Sequence, residues 1–512
     1  MSRTDEVTTA GGDPTVKKGS ERSSSLDISA AEIAELSSEV NKLVIDYFAQ
    51  VSNLPVFPKT SAGKTIEQVG TELPIEGQSL DQLIADCRTI IKGSRHNGHP
   101  RFFGYVASPG TAAGAYADLI ASTLNTNVTS WRSTPSATEI ERTVVRWLGL
   151  MIGFGKNAQG LLTSGGSMAN MTALLIAQRS KAGGDTARKG LWNSNAPMTV
   201  YASDEIHMSI PKAADILGFG REQVRTIATD ARLRMNVRLL RERVQKDLSD
   251  GLKPFCVVAS SGTVKTGAVD PLAEIADVAR EFGLWFHVDG AYGAPASLDE
   301  TKRSLFAGLE RADSVSLDAH KWLYVPMDAG CLLFRDAAAA RAAFSSAEAD
   351  YIKVLEEDAD EAFAFWDYGM ELSRRFRALK IWMTLRYYGV RRLAEAIADD
   401  NSLAAYLAER VTEAEDFELL APVELSICCF RYVPAEWKAR LDSARDDEHA
   451  EIDRELDELN TRVMHLVQRG GQAYVSNATI GGRFALRACI TNFRTTRADI
   501  DQTLEIIRSA AG

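Results

Sequence analysis

No stretch of this 512-residue chain approaches the ~20 uninterrupted apolar residues that a membrane-spanning helix needs. Cysteine is scarce. Six are scattered along the chain, Cys428 and Cys429 side by side and Cys87, Cys256, Cys331 and Cys489 without CxxC spacing. That excludes a disulfide framework and predicts reduced thiols in a soluble, cytoplasmic protein. Basic charge is not in excess: 58 Lys and Arg face 69 Asp and Glu, a net charge of −11, so nothing draws the surface toward nucleic acid or anionic lipid. There is no internal repeat, and low complexity is confined to residues 1–25. That Ser-, Thr- and Gly-rich stretch lacks the apolar segment of a signal peptide and reads as a disordered tail. What remains, 45% hydrophobic and 25% charged, is an ordinary globular composition, long enough to bury a large core without disulfides or a structural metal.

Order is expected from Leu26. Asp27 or Ser29 can cap a helix carrying Ile33, Leu36, Val40, Leu43, Val44 and Tyr47 at helical spacing. Residues 55–77 read as a Pro- and Gly-containing connector, and a second helix is predicted over 80–91. Neither helix has a sheet to cover its apolar side, so residues 26–100 are expected to dock on a second copy of the chain. Over 101–389 short apolar runs (160–163, 198–202, 255–259, 284–288, 314–317 and 329–334) alternate with helical stretches, the pattern of a mostly parallel sheet with helices on both faces. From 390 to 512 the texture is that of a smaller α+β domain: a long helix to about 414, strands at 418–431, 472–477 and 484–490, and helices over 446–468 and from 498. The charge run 445–458 is expected as a solvated helix face.

Ligands of such a sheet sit at the carboxyl ends of its strands, and the polar clusters fall there. Asp318-Ala319-His320-Lys321-Trp322 follows the run at 314–317. A lysine buried at a strand end is costly unless paired or neutralised, and a covalent imine with an aldehyde cofactor neutralises it. His287-Val288-Asp289-Gly290-Ala291-Tyr292 ends another run in a carboxylate, which suits the ring nitrogen of pyridoxal phosphate and keeps that ring an electron sink. Thr163-Ser164-Gly165-Gly166-Ser167-Met168-Ala169-Asn170 is a strand-to-helix turn able to cradle a phosphate. His207 and Thr263 each follow a further run; beside an aromatic cofactor His207 is placed to stack on the ring and meet the substrate carboxylate, and Thr263 to reach the phenolic oxygen or phosphate. Taken singly, each cluster has a bland alternative: a surface lysine, a capping Asp, an ordinary Gly turn, a structural His. Their conjunction and order are what carry weight.

In those motifs the chain, from about Leu26 onward, resembles the pyridoxal-phosphate group II decarboxylases, which include aromatic-L-amino-acid, glutamate and cysteine sulfinate decarboxylases. The family's HKW motif is His320-Lys321-Trp322, its VDxAY motif Val288 to Tyr292 and its TSGGSxAN motif Thr163 to Asn170. Further matches are His99-Pro100-Arg101-Phe102-Phe103, Thr138-Glu139-Ile140-Glu141 and Ser373-Arg374-Arg375-Phe376-Arg377-Ala378-Leu379-Lys380. The resemblance implies a fold-type I α/β enzyme and a homodimer with the active site at the subunit interface. It implies Lys321 as the Schiff-base lysine, Asp289 as the partner of the ring nitrogen, His207 and Ala291 on the two ring faces, and Gly166, Ser167 and His320 at the phosphate. Tyr351 falls where relatives carry a loop tyrosine that returns a proton to the substrate carbon, and Tyr105 and Ser108 fall in the substrate pocket.

The expected reaction is decarboxylation of an L-amino acid, aromatic first, to the amine and carbon dioxide. Asn97, Val106, Asn127 and Thr129 stand where the aromatic branch has larger residues, although Phe103, Tyr105 and Trp131 still offer rings. An acidic or small polar substrate therefore stays open. So does an aldehyde synthase, against which Tyr351 argues; a non-catalytic scaffold ranks last, because Lys321, Asp289 and His207 are all present. Val264 replaces a second threonine of many relatives, and Asp318 an asparagine of the animal enzymes. Three decoys are set aside. Ser61-Ala62-Gly63-Lys64-Thr65 has Pro58 in place of the first glycine of a phosphate loop. His96 and His99 lack a third metal ligand, and no metal is expected. Cys428 and Cys429 would face opposite ways on a strand.

Overall fold

The structure, a computed structural model, describes residues 26–182, 186–191, 196–344 and 360–512. Among these, twelve strands, numbered in chain order, form two sheets. β1 (Phe102–Phe103) belongs to the smaller. The larger holds β2 (Gln159–Thr163), β3 (Met198–Ser203), β4 (Val224–Ile227), β5 (Lys253–Ser260), β6 (Trp285–Asp289), β7 (Ser314–Asp318) and β8 (Gly330–Phe334) in the order β2-β8-β7-β6-β5-β3-β4. All neighbours run parallel except β8, which is antiparallel to β7 and β2. Every residue of β3, β6, β7 and β8 is buried, as expected of strands covered by helices on both faces. Six of the seven strands coincide with the apolar runs. The seventh, β4, is an edge strand of sequence Val-Arg-Thr-Ile, too short and polar to register as one.

Register places the chemistry. In β6 the side chains of Trp285, His287 and Asp289 share one face, and across the ladder His287 stands opposite Ser314 and Asp289 opposite Ser316 of β7. The helix Gly166–Ala182 packs over this face, its first turn continuing directly from the glycine turn after β2.

The smaller sheet has the order β1-β11-β12-β10-β9, with β9 (Phe417–Leu419), β10 (Ile427–Tyr432), β11 (Tyr474–Ile480) and β12 (Arg483–Cys489) antiparallel and β1 parallel to β11. Helices Asp446–Gly470 and Arg497–Ala511 back it. The strand expected over 418–431 is in fact two, β9 and β10, folded back on each other. The run 445–458 is not wholly solvated, because Asp453 pairs at 2.7 Å with the buried Arg431. The long helix runs as expected to Glu413, and a further helix from Ala378 leads into it across a kink at Gly389, whose φ of 75° suits only glycine.

At the N-terminal end Ser29 caps the helix Ala30–Gln50, its hydroxyl accepting from the Glu32 amide while the Glu32 carboxylate accepts from the Ser29 amide. The second helix spans Leu80–Lys92. The connector between them holds a helix of its own, Ala62–Val69, capped by Ser61, so the Gly-Lys-Thr run is an exposed helical turn.

Candidate active site

Four turns at the carboxyl ends of β2, β3, β5 and β6 and the short helix Ala319–Trp322 after β7 enclose a cavity of about 290 Å³. It is lined by Gly166, Ser167, His207, Thr263, Asp289, Ala291, His320 and Lys321 among others. Eight of the residues singled out in the sequence thus meet at one place, from segments more than 150 positions apart.

Lys321 stands one turn beyond the strand end, its side chain 23% exposed, with Nζ 3.0 Å from Asp318 Oδ2. Asp318 is almost fully buried, and its other oxygen has no hydrogen-bond partner in the structure. His320 accepts the Ala329 amide at Nδ1 (3.1 Å). Burial, the largest influence, lowers its pKa, so Nε2 carries the proton, 3.8 Å from Asp318. Asp289 is 7% exposed and has three donors rather than a cation: Asn170 Nδ2 (2.9 Å), Ser316 Oγ (3.1 Å) and the Ala291 amide (3.2 Å). Donors thus reach both of its oxygens. His207 accepts from the Ser209 amide at Nδ1 and has Ser209 Oγ 2.8 Å from the same atom; burial, first, lowers its pKa.

The glycine turn is tight for a reason. A Cβ on Gly166 would stand 2.8 Å from Ala291 Cβ and 3.0 Å from Asp318 Oδ2, so only glycine lets the helix start this close to the cavity. The first turn of that helix brings amides without intrahelical partners to the rim, a ready anion cradle. Thr263 Oγ1 lies 3.1 Å from Thr266 Oγ1.

The remaining expected residues lie elsewhere. Ser108 lines an adjoining cavity of about 280 Å³ with Asn97, Arg494 and His320, and donates to the His320 carbonyl. Tyr105 is half exposed with a left-handed backbone (φ 58°), which turns its hydroxyl onto that of Tyr474 at 3.1 Å rather than into the cavity. Phe103 offers no ring to a pocket, being buried in the core of the smaller sheet. Tyr351 lies outside the described residues. His96 and His99 are buried beside the N-terminal helices, and among the described residues no group of three His, Cys, Asp or Glu is placed to hold a metal. Cys428 and Cys429 do face opposite ways, one into each hydrophobic core. Sequence reasoning assigned no role to Asp318, Asn170 or His287, although all three stand in the motifs.

A mostly parallel sheet with a lysine, a buried carboxylate and a glycine-helix cradle converging at its strand ends is the site of a fold-type I pyridoxal-phosphate enzyme. The Pyridoxal-dependent decarboxylase conserved domain matches residues 62–433. The chain is 35% identical over 490 residues to an aromatic-L-amino-acid decarboxylase of Bacillus atrophaeus, covering 96% of this chain and 97% of that one. It is 32% identical to a 4-hydroxyphenylacetaldehyde synthase of Rhodiola rosea, covering 94% and 96%. Among solved structures, Oryza sativa TDC with PLP and tryptamine superposes with a TM-score of 0.85 at 30% identity, covering 94% and 98%. Mouse CSAD superposes with a TM-score of 0.88 at 29% identity, covering 94% and 99%. The chain belongs to the pyridoxal-dependent decarboxylase family: it is a carboxy-lyase of amino acids, and its cofactor is pyridoxal 5′-phosphate. The residues present fit that cofactor, since the Gly166 turn leaves room where any side chain would intrude and Asp289 offers an oriented carboxylate at the cavity wall.

Proposed function

We propose that the chain decarboxylates aromatic L-amino acids to amine and carbon dioxide. The observation that carries this is the convergence of Lys321, Asp289 and His207 on one cavity, in a chain whose relatives above act on aromatic compounds by name. Pyridoxal phosphate, when bound, supplies an aldehyde for the substrate amine and a conjugated ring that takes up the electron pair of the breaking Cα–carboxylate bond. Lys321 is the lysine that would carry the aldehyde, and Asp318 Oδ2, 3.0 Å from its Nζ, holds that side chain in place at the cavity wall. Asp289 holds the ring nitrogen protonated. The Gly166 and Ser167 amides would bind the phosphate with His320 alongside, Ala291 and His207 would hold the ring between them, and Thr263 would meet its phenolic oxygen. His207 would present Nε2–H to the substrate carboxylate, and Ser108, in the adjoining cavity that shares His320, would lie on the substrate side, which Tyr105 would reach only by leaving Tyr474. Tyr351 returns the proton at Cα.

The polar-substrate alternative loses support, because Asn97 and Asn127 are engaged locally. Asn97 Oδ1 accepts from Arg95 at 3.0 Å; Asn127 donates to the Leu372 carbonyl and accepts the Arg374 amide. We further propose a homodimer in the cytoplasm, supported by the unburied apolar faces of the first helices and by six free cysteines.

Aldehyde synthesis is the second reading, favoured by the Rhodiola rosea relative. One assay tests both: common L-amino acids are incubated in air with the parent, Lys321→Ala and Tyr351→Phe chains, and carbon dioxide, amine, aldehyde and peroxide are measured. Aromatic substrates should give amine with the parent, nothing with Lys321→Ala, and a shift toward aldehyde and peroxide with Tyr351→Phe. Mainly aldehyde from the parent would replace the first reading by the second, and turnover confined to acidic substrates would overturn both.

A further inference from the structure

Behind Asp289 and His207 runs an unbroken line of buried polar groups. Trp285 Nε1 donates to Ser314 Oγ (2.9 Å); Ser314 Oγ lies 2.9 Å from His287 Nδ1; His287 Nε2 lies 3.0 Å from Asn170 Oδ1. Asn170 Nδ2 then donates both to Asp289 Oδ2 and to Ser209 Oγ, each at 2.9 Å, and Ser209 Oγ is 2.8 Å from His207 Nδ1.

The Asp289 end fixes the bond directions. At the other end an indole N–H only donates, so Ser314 accepts from Trp285 and keeps its own proton available for His287 Nδ1. Asp289 as a carboxylate only accepts, so Asn170 must turn its NH₂ toward it and its carbonyl toward His287, which requires the His287 proton on Nε2. Burial pulls the His287 pKa down to about 4, partly offset by the Asp289 charge, so the ring is neutral and its one proton sits on Nε2, with Nδ1 left to accept from Ser314. At the other branch the Ser209 amide donates to His207 Nδ1, so that atom is an acceptor, the Ser209 hydroxyl donates to it as well, and the His207 proton is on Nε2.

We propose that this chain fixes the His207 tautomer with Nε2–H toward the cavity and at the same time orients Asp289, making His287, Asn170 and Ser209 positioning residues. The role of the two end groups toward the cofactor rests on the function proposed above; the hydrogen-bond directions do not.

The test uses the full chain with ¹⁵N-labelled imidazoles, seven in all, with and without pyridoxal phosphate. Ring ¹⁵N–¹H correlations should show Nε2–H for both His207 and His287. Ser209→Ala removes the hydroxyl but leaves the Ser209 amide on His207 Nδ1, so Nε2–H should persist, and pyridoxal phosphate affinity should change less than about threefold because the Asn170–Asp289 bond is untouched. His287→Phe should lower that affinity roughly tenfold, and His287→Gln, whose amide NH₂ replaces Nε2–H, should restore most of it. If His287→Phe does not fold, Ser314→Ala removes only the contact to His287 Nδ1, and Nε2–H should persist there because the Asn170 carbonyl still accepts it. Nδ1–H on His207 or on His287 in the parent, or an unchanged pyridoxal phosphate affinity in a folded His287→Phe, overturns the proposal. Correct tautomers in a chain that binds no pyridoxal phosphate would uphold the relay and sink the cofactor roles instead.

Discussion

Asp400, in the long helix that ends the larger unit, is buried with no cation in ion-pair reach among the described residues. Three donors converge on it: Trp322 Nε1 (2.9 Å), Tyr324 OH (2.7 Å) and, more weakly, the Asn492 amide (3.3 Å). Trp322 also stacks on Tyr292 at 5.0 Å, so the Trp of one motif is a strut behind the site, braced against the Tyr of the other, which itself lines the cavity. Burial, the largest influence, raises the Asp400 pKa from 3.8 to about 7 despite those donors. Between about pH 4 and 7 the folded chain therefore holds a proton that the unfolded chain releases, and stability from this group falls as pH rises through that window. Asp400→Asn copies the protonated form. The variant should match the parent only below about pH 4 and exceed it by roughly 4 kcal/mol at pH 8 in denaturant titration. Equal pH dependence of the two would show that Asp400 is ionised throughout.

At the scale of elements, Glu141 and Arg374 explain two motifs that have no side chain in the cavity. Arg374 is bonded to Glu141, to the Val128 carbonyl (2.6 Å) and to the Leu162 carbonyl (3.0 Å), and lies over the Phe365 ring; Glu141 accepts the Leu162 amide at 2.9 Å. Both side chains are 1% exposed, so the pair ties the helix Pro135–Met151 and β2 to the segment leading into the long helix. Arg374→Met strands a buried carboxylate and should cost about 3–5 kcal/mol, whereas Arg374→Met with Glu141→Leu should recover much of it. A single variant as stable as the parent would mean the pair is structurally idle. These elements also mark what sequence could tell. The buried strands announced themselves because each is dominated by apolar or small residues and ends in a polar turn, and that is why Lys321, Asp289, His207 and Gly166 were found. β4 escaped because an edge strand need not be apolar, and the helix Ala62–Val69 because its sequence has no wide apolar face. The relay behind Asp289 was illegible for a different reason: it depends on His287 standing opposite Ser314, and no local pattern encodes the register between two strands.

For the molecule as a whole, the first two long helices pose an energetic question. Ala30–Gln50 buries no residue at all, and Leu80–Lys92 buries only Ile84. Ile45 is 60% exposed and Ile90 55%, with Ile33, Val40 and Leu83 also in solvent. Fully burying one such side chain is worth about 1.5–3 kcal/mol, so a surface covering several of them at once has a strong drive to form. A second copy of the chain is the proposed cover, and it predicts behaviour that depends on concentration. Sedimentation should give two chains per particle at micromolar concentration. Ile33→Glu with Ile45→Glu places charges on that face without touching the cavity, and should shift the particle toward one chain. If the site is completed by the partner, turnover per chain should fall with the dimer fraction in both parent and variant and recover on concentration. A chain lacking residues 1–25 should behave as the parent, and one lacking residues 1–92 should lose activity or solubility. Full turnover per chain in a preparation that sediments as one chain would show that each site is complete alone and that another surface covers these helices.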